Sequence, residues 1–230
     1  MKRIATGVFA AAAAVIMALP AQAQPYPYSI NITVTPPTYS GCLEASVADQ
    51  ALSCAGLNPN GVDVGPFNPN FAWVLVGGVP EAQGEAGGIG GLQFGVEFDP
   101  GIIISSWALC TGGSEIPQQE PVVWPANGSG NAMTWPDACY LVTANGDGLT
   151  RVGFFAINPG ADGFLNIIED PRTGKAEATD CQTTLFRVCK QLLGSAEMTI
   201  GGTGGENTCG NFCPVPVRET SWGGIKSAYN

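Results

Sequence analysis

The chain has 230 residues, nine of them basic and nineteen acidic, with no histidine and a formal charge of −10. Without imidazole, Ser-His-Asp and Cys-His nucleophilic sites, His-ligated zinc and the usual general base near neutral pH are all excluded. A lysine-poor, acidic surface repels phosphate backbones and anionic lipid, which argues against nucleic-acid and peripheral-membrane roles.

Residues 1–23 read as a signal peptide. Lys2 and Arg3 precede an apolar run over 4–19, and Pro20 with Ala21-Gln22-Ala23 supplies an A-x-A cleavage signature. The run is short for a membrane span, and Gln24, not the cysteine of a lipoprotein, stands immediately after the cleavage site. Loss of Lys2 and Arg3 takes the formal charge from −10 to −12. No later segment is apolar and long enough to cross a bilayer as a helix.

The body, 24–200, reads as short strands separated by turn chemistry. Ile30, Ile32 and Val34 alternate with Asn31 and Thr33 over 29–34. Leu43, Val47 and Ala51 fall at helical spacing within 42–54, a segment that stays ambiguous. The continuous apolar run 71–79 has the character of a strand buried on both sides. The stretch 91–98 organises the rest. Leu92, Phe94, Val96 and Phe98 take every second position, so one face is apolar and must be covered by another layer. Asp99-Pro100-Gly101 turns the chain into a return strand over 102–109. A loop follows through Pro117, Pro121 and Pro125, and further strands fit 138–144, 151–157, 164–168, 179–188 and 197–200. Roughly nine strands with regular turns predict an all-β, antiparallel β-sandwich.

After 200 the composition changes. Residues 201–216 read as a Gly/Cys/Pro-rich linker and 217–230 as a C-terminal tail. In the tail, Trp222, Ile225 and Tyr229 lie at i, i+3 and i+7, one helical face. A helix this short needs something to dock against.

Eight cysteines (Cys42, Cys54, Cys110, Cys139, Cys181, Cys189, Cys209 and Cys213) all follow the cleavage site, as in a disulfide-stapled exported protein. Loop-and-return spacing suggests Cys42 with Cys54 and Cys110 with Cys139, and leaves the other four open. A Cys₄ zinc site at Cys181, Cys189, Cys209 and Cys213 is the alternative, disfavoured without close C-x₂-C pairs. The reading is that no metal or cofactor is held. The glycine stretch 84–95 lacks both nucleotide-loop signatures and leads into a strand. Asn145 with Asp147, and Asn158 with Asp162, are hairpin-turn chemistry first and calcium loops second. Glu97 and Asp99 share a wet strand face; Asp137, Glu169 and Asp170 are the other acids from which a hydrolytic pair would be drawn. Trp124 and Trp135 each precede a proline where the chain turns. They read either as exposed rings for stacking on sugars, rimmed by Gln118, Gln119, Asn127 and Asn131, or as plugs closing the ends of a sandwich.

The stretch Leu-Gln-Phe-Gly-Val-Glu-Phe-Asp-Pro-Gly-Ile-Ile-Ile-Ser-Ser-Trp, 92–107, resembles the early strands of cohesin-like and other Ig-like bacterial β-sandwich domains. Arg-Val-Gly-Phe-Phe-Ala-Ile, 151–157, resembles a later strand of the same kind. The resemblance implies a secreted sandwich; its cysteines depart from the cohesin pattern, and no binding residue carries over. The ending, 217–229, is similar to a Trp-Gly-x-Ile-Lys tail of uncharacterised secreted bacterial proteins, implying a sorting or docking segment. These readings converge on an exported, non-catalytic module binding a protein or polysaccharide of the cell envelope. Carbohydrate binding through Trp124 and Trp135 is the alternative, and a hydrolase built on acidic residues a third.

Overall fold

The computed structural model describes residues 28–35, 54–61, 70–77, 88–110, 113–135, 140–141, 149–158, 162–179, 185–199 and 202–209. The signal segment, the helical-spacing stretch after Cys42 and the tail with Trp222, Ile225 and Tyr229 lie outside them, as do Asn145 and Asp147.

Alternation makes strands of β1 (Ser29–Thr35), β2 (Asn70–Gly77), β3 (Gly88–Ile89), β4 (Gly91–Phe98) and β5 (Ile104–Leu109). They are followed by β6 (Ser114–Pro117), β7 (Ser129–Thr134), β8 (Tyr140–Leu141) and β9 (Thr150–Ile157). The last four are β10 (Phe164–Ile168), β11 (Ala176–Thr179), β12 (Leu185–Val188) and β13 (Ser195–Glu197). A four-stranded sheet runs β1-β2-β9-β5, a seven-stranded sheet is built on β4, and β3 pairs β8 apart from both. The named strands pair antiparallel throughout.

The organising role of 91–98 is visible in the pairing. One edge of β4 takes β7 over its length, with Leu92 opposite Met133, Phe94 opposite Asn131 and Val96 opposite Ser129. Its other edge is shared: β11 lies against Gly91 to Gln93, and β10 against Gly95 to Phe98. Leu92, Phe94 and Val96 are at most 3% exposed, and share one buried core cluster with Ala72, Val74 and Val76 of β2 in the other sheet. Each fully buried aliphatic or aromatic side chain of that kind is worth about 1.5–3 kcal/mol of transfer free energy.

The run in β2 is buried on both faces, as its unbroken apolarity predicts. Its other face puts Trp73 and Leu75, both 0% exposed, into a second cluster with Leu57, Cys110 and Leu149. The Arg151 guanidinium lies 4.8 Å from the centre of the Trp73 ring. The segments 54–61 and 202–209 therefore act as a partial third layer over the smaller sheet.

Three expectations are corrected, and the zinc alternative falls. Cys54 is bridged to Cys209 across 155 residues, not to Cys42, so the staple joins the two ends of the body and not a local loop. Cys110 and Cys189 are also disulfide-bonded, which with Cys209 removes the zinc reading. The linker over 201–216 is, at 202–209, bonded to the sandwich: the Thr208 backbone N–H and hydroxyl both donate to Asn31 Oδ1 at 2.9 Å, and the Gly205 N–H donates to Asn60 Oδ1. Finally, β6 and β7 stand where a Pro-rich loop was expected. Ser129 and Asn131 face the core from β7, so this strand has no apolar alternation to betray it.

Candidate functional site

The two faces of the larger sheet differ in kind. Inward, it closes the core. Outward, β4 presents Gln93, Gly95 and Glu97, and its neighbours present Gly130 and Ala132 from β7 and Ile116 from β6, by their registered pairing. The outward positions of β11 and β12 are Glu177, Arg187 and Leu185. Leu185 is 58% exposed, Ile116 68% and Phe164, outward on β10, 37%.

A corner on this face explains why β10 and β11 share one edge. Between them the sequence Asp170-Pro-Arg-Thr-Gly174 turns out of the sheet, closed by the Gly174 N–H donating to Asp170 O at 2.8 Å. Gly174 sits at φ +66°, where glycine alone is unstrained. The loop folds back onto two glycines. A Cβ on Gly130 would overlap the Asp170 carboxyl, with Cγ 2.5 Å away, and one on Gly95 would lie 3.0 Å from Pro171 Cδ. Bare backbone at these two positions lets the corner lie flat on the sheet.

Asp170 is wholly buried there and saturated with donors. It accepts from Gln93 Nε2 at 3.0 Å, from the Arg172 N–H at 2.8 Å and from Arg172 Nη2 at 2.6 Å. Burial pushes its carboxyl pKa up, but the Arg172 side chain and N–H, Gln93 and the guanidinium charge outweigh that and hold it below the ordinary value. The hydrogen bonds to Asp170 raise the Arg172 pKa against the opposing effect of burial. Arg172 Nη1 also donates to Ile116 O on β6 at 3.0 Å, so one side chain ties the corner across β4 and β7 to the far strand. Beside it, Glu169 accepts from Arg187 Nη2 at 2.9 Å and pairs with Lys190 Nζ at 3.3 Å. Burial raises the Glu169 pKa, and the two cations overcome it to leave the carboxyl lowered.

The acids read as hydrolytic candidates are thus not brought together. Asp170 and Glu169 are held in ion pairs. Asp99 braces a turn, its Oδ2 accepting from the Phe164 N–H at 2.9 Å, and Glu97 stands exposed. Asp137 lies outside the described residues. Asn158 and Asp162 are exposed, and among the described residues no three His, Cys, Asp or Glu side chains gather as for a metal.

Both tryptophans are buried. Trp124 is 8% exposed and Trp135 3%, so neither offers a face for stacking on a sugar. Trp124 meets Phe94, Trp107 and Phe155 with ring centroids 5.5–5.6 Å apart. The supposed polar rim is spent on bracing: Gln118 Oε1 accepts from the Gly130 N–H, Asn127 Oδ1 accepts from the Phe98 N–H, and Asn131 donates to Glu115. Glu115 also receives Trp107 Nε1 at 3.0 Å. The corner itself was missed. Its Asp-Pro-Arg-Thr-Gly turn chemistry was readable, but nothing local says that such a turn lies down on a sheet.

No protein-family profile matches the chain, and a comparison with curated proteins finds none similar. Among solved structures it is similar to the sixth cohesin of Acetivibrio cellulolyticus scaffoldin B, which was crystallised in complex with a mutant Cel5 dockerin. The two are 15% identical, with a TM-score of 0.39 over 74% of this chain and 99% of that one.

Proposed function

We propose that the chain is an exported, non-catalytic binding or structural module of the cell envelope or extracellular space, and that it binds a protein through the outer face of its larger sheet. The observation that supports this is the exposure of Ile116, Leu185 and Phe164 on one face, around a corner fixed by Asp170 and Arg172. Ile116 on β6 and Leu185 on β12 stand at opposite edges of this sheet, so a partner lying across the whole face would meet both. Disulfides at Cys54, Cys110, Cys189 and Cys209 fit an oxidising compartment. The tail bearing Trp222, Ile225 and Tyr229 is read as a separate docking segment.

The test is photo-crosslinking in the producing cell, with a benzophenone amino acid placed at position 116, 185 or, as control, at Ile103, which is 59% exposed outside this face. Discrete protein adducts are expected from 116 and 185 and not from 103. Their absence at both positions would sink the reading.

A further inference from the structure

The chain is acidic, yet its cations are not scattered. The described residues include five, of which Arg151 is 7% exposed and buried against Trp73. The other four, Arg172, Lys175, Arg187 and Lys190, all belong to the corner and to the strand and turn beside it. Arg187 and Lys190 converge on the same carboxylate, Glu169, and Lys175 pairs with Glu177, which faces Arg187 across the β11–β12 ladder.

These pairs are lopsided. The side chains of Lys175, Arg187 and Lys190 are 49%, 50% and 76% exposed, whereas their acidic partners Glu177 and Glu169 are 16% and 18% exposed. The acids lie underneath and the cations on top, so an approaching molecule meets ammonium and guanidinium groups first. Leu185, 58% exposed, lies two residues from Arg187 on the same strand face. Glu97 is exposed on the same outer face, but at the end of β4 paired with β10 and not at the end paired with β11; Asp99, Glu115 and Asp162 belong to other parts of the sandwich. Screening acts over about 8 Å at physiological ionic strength, so a partner docked here responds to the local cations more than to the net charge.

We propose that this cationic patch, Lys175, Arg187 and Lys190 with Leu185 among them, docks a carboxylate-rich polypeptide. The inference rests on the docking-face reading above and names the chemistry of its partner. A polypeptide is favoured over an acidic polysaccharide because an exposed leucine shares the patch: an acidic segment with an aliphatic side chain satisfies both, and a polyuronate only the charge.

The probe is fluorescein-labelled poly-L-glutamate, titrated with the full secreted chain and followed by anisotropy. Binding is expected at low salt and should fade as salt rises. The triple variant Lys175→Gln, Arg187→Gln, Lys190→Gln should weaken it roughly tenfold, the size expected from losing three exposed ion pairs. Lys190→Gln alone, at the most exposed position, should weaken it measurably and serves if the triple variant fails to fold. Unchanged binding by a folded triple variant overturns the proposal, as does no binding by the wild type. Polygalacturonate binding in place of poly-L-glutamate would assign the patch to an acidic polysaccharide instead. Concentration-dependent dimers that the triple variant lacks, without poly-L-glutamate binding, would assign it to a second copy. Crosslinks at 116 and 185 that persist in the triple variant would leave the docking face standing while ending the acidic partner.

Discussion

Asp170 shows how far a single residue type can mislead. In sequence it was one more acid for a hydrolytic pair, but in the fold its lone pairs are committed to Gln93 and Arg172. Because its folded pKa lies below the ordinary carboxylate value of about 3.9, its ionised form stabilises the fold. That contribution is fully present above about pH 4 and is lost as pH falls through the lower, folded value. Asp170→Asn keeps the shape but turns an amide toward donors. It should cost about 2–3 kcal/mol at pH 7, somewhat less than a wholly buried pair because the Arg172 side chain is 29% exposed. The variant's stability should also fall less on acidification below pH 4 than that of the wild type. Urea titrations across that range check both, and equal acid slopes would show that the carboxylate is not held as described. Trp124 was open to two readings: a ring before a proline in a turning loop gives no sign whether the loop folds out or in, and here it folds into the aromatic core.

At the level of elements, what could be read was what alternation encodes. The apolar faces of β1 and β4 and the two-sided burial of β2 follow directly from period-2 and continuous apolar patterns. The predicted strand over 179–188 is instead the last residue of β11 and all of β12, two strands that pair antiparallel, and the sequence 180–184 has no Gly or Pro to signal a break. A second miss, β7, has a physical reason of its own: its inward positions are Ser129, Asn131 and Met133, and Ser129 Oγ has no hydrogen-bond partner among the described residues. Its outward Gly130 is what admits the corner. Gly130→Ala should therefore destabilise by about 1–3 kcal/mol, since the new methyl meets a carboxyl that Arg172 prevents from moving. In an Asp170→Ala background the same change should cost under half as much, because the obstruction is gone. A double-mutant cycle by chemical denaturation measures that coupling; simple additivity would mean that the loop does not rest on Gly130.

On the scale of the whole molecule, the ends of the body are tied together. Cys209 is joined to Cys54, Asn207 Nδ2 donates to Cys54 O at 2.7 Å, and Thr208 is wholly buried on Asn31 of β1. A linker would show none of this, so the body extends at least to Cys209, past the change in composition at 200. That boundary makes a prediction with two halves. Removing 214–230 touches none of the contacts described above for 202–209 and should leave the melting temperature unchanged within about 1 °C, while altering where the protein is retained if Trp222, Ile225 and Tyr229 form a docking segment. The double variant Cys54→Ser, Cys209→Ser keeps the tail but frees a loop of 155 residues in the unfolded chain. It should cost about 2–5 kcal/mol, a fall in melting temperature on the order of 10 °C for a chain of this size. Calorimetry of the two proteins separates the roles. If the truncated chain melts as low as the cysteine variant, the tail belongs to the core and is no docking segment.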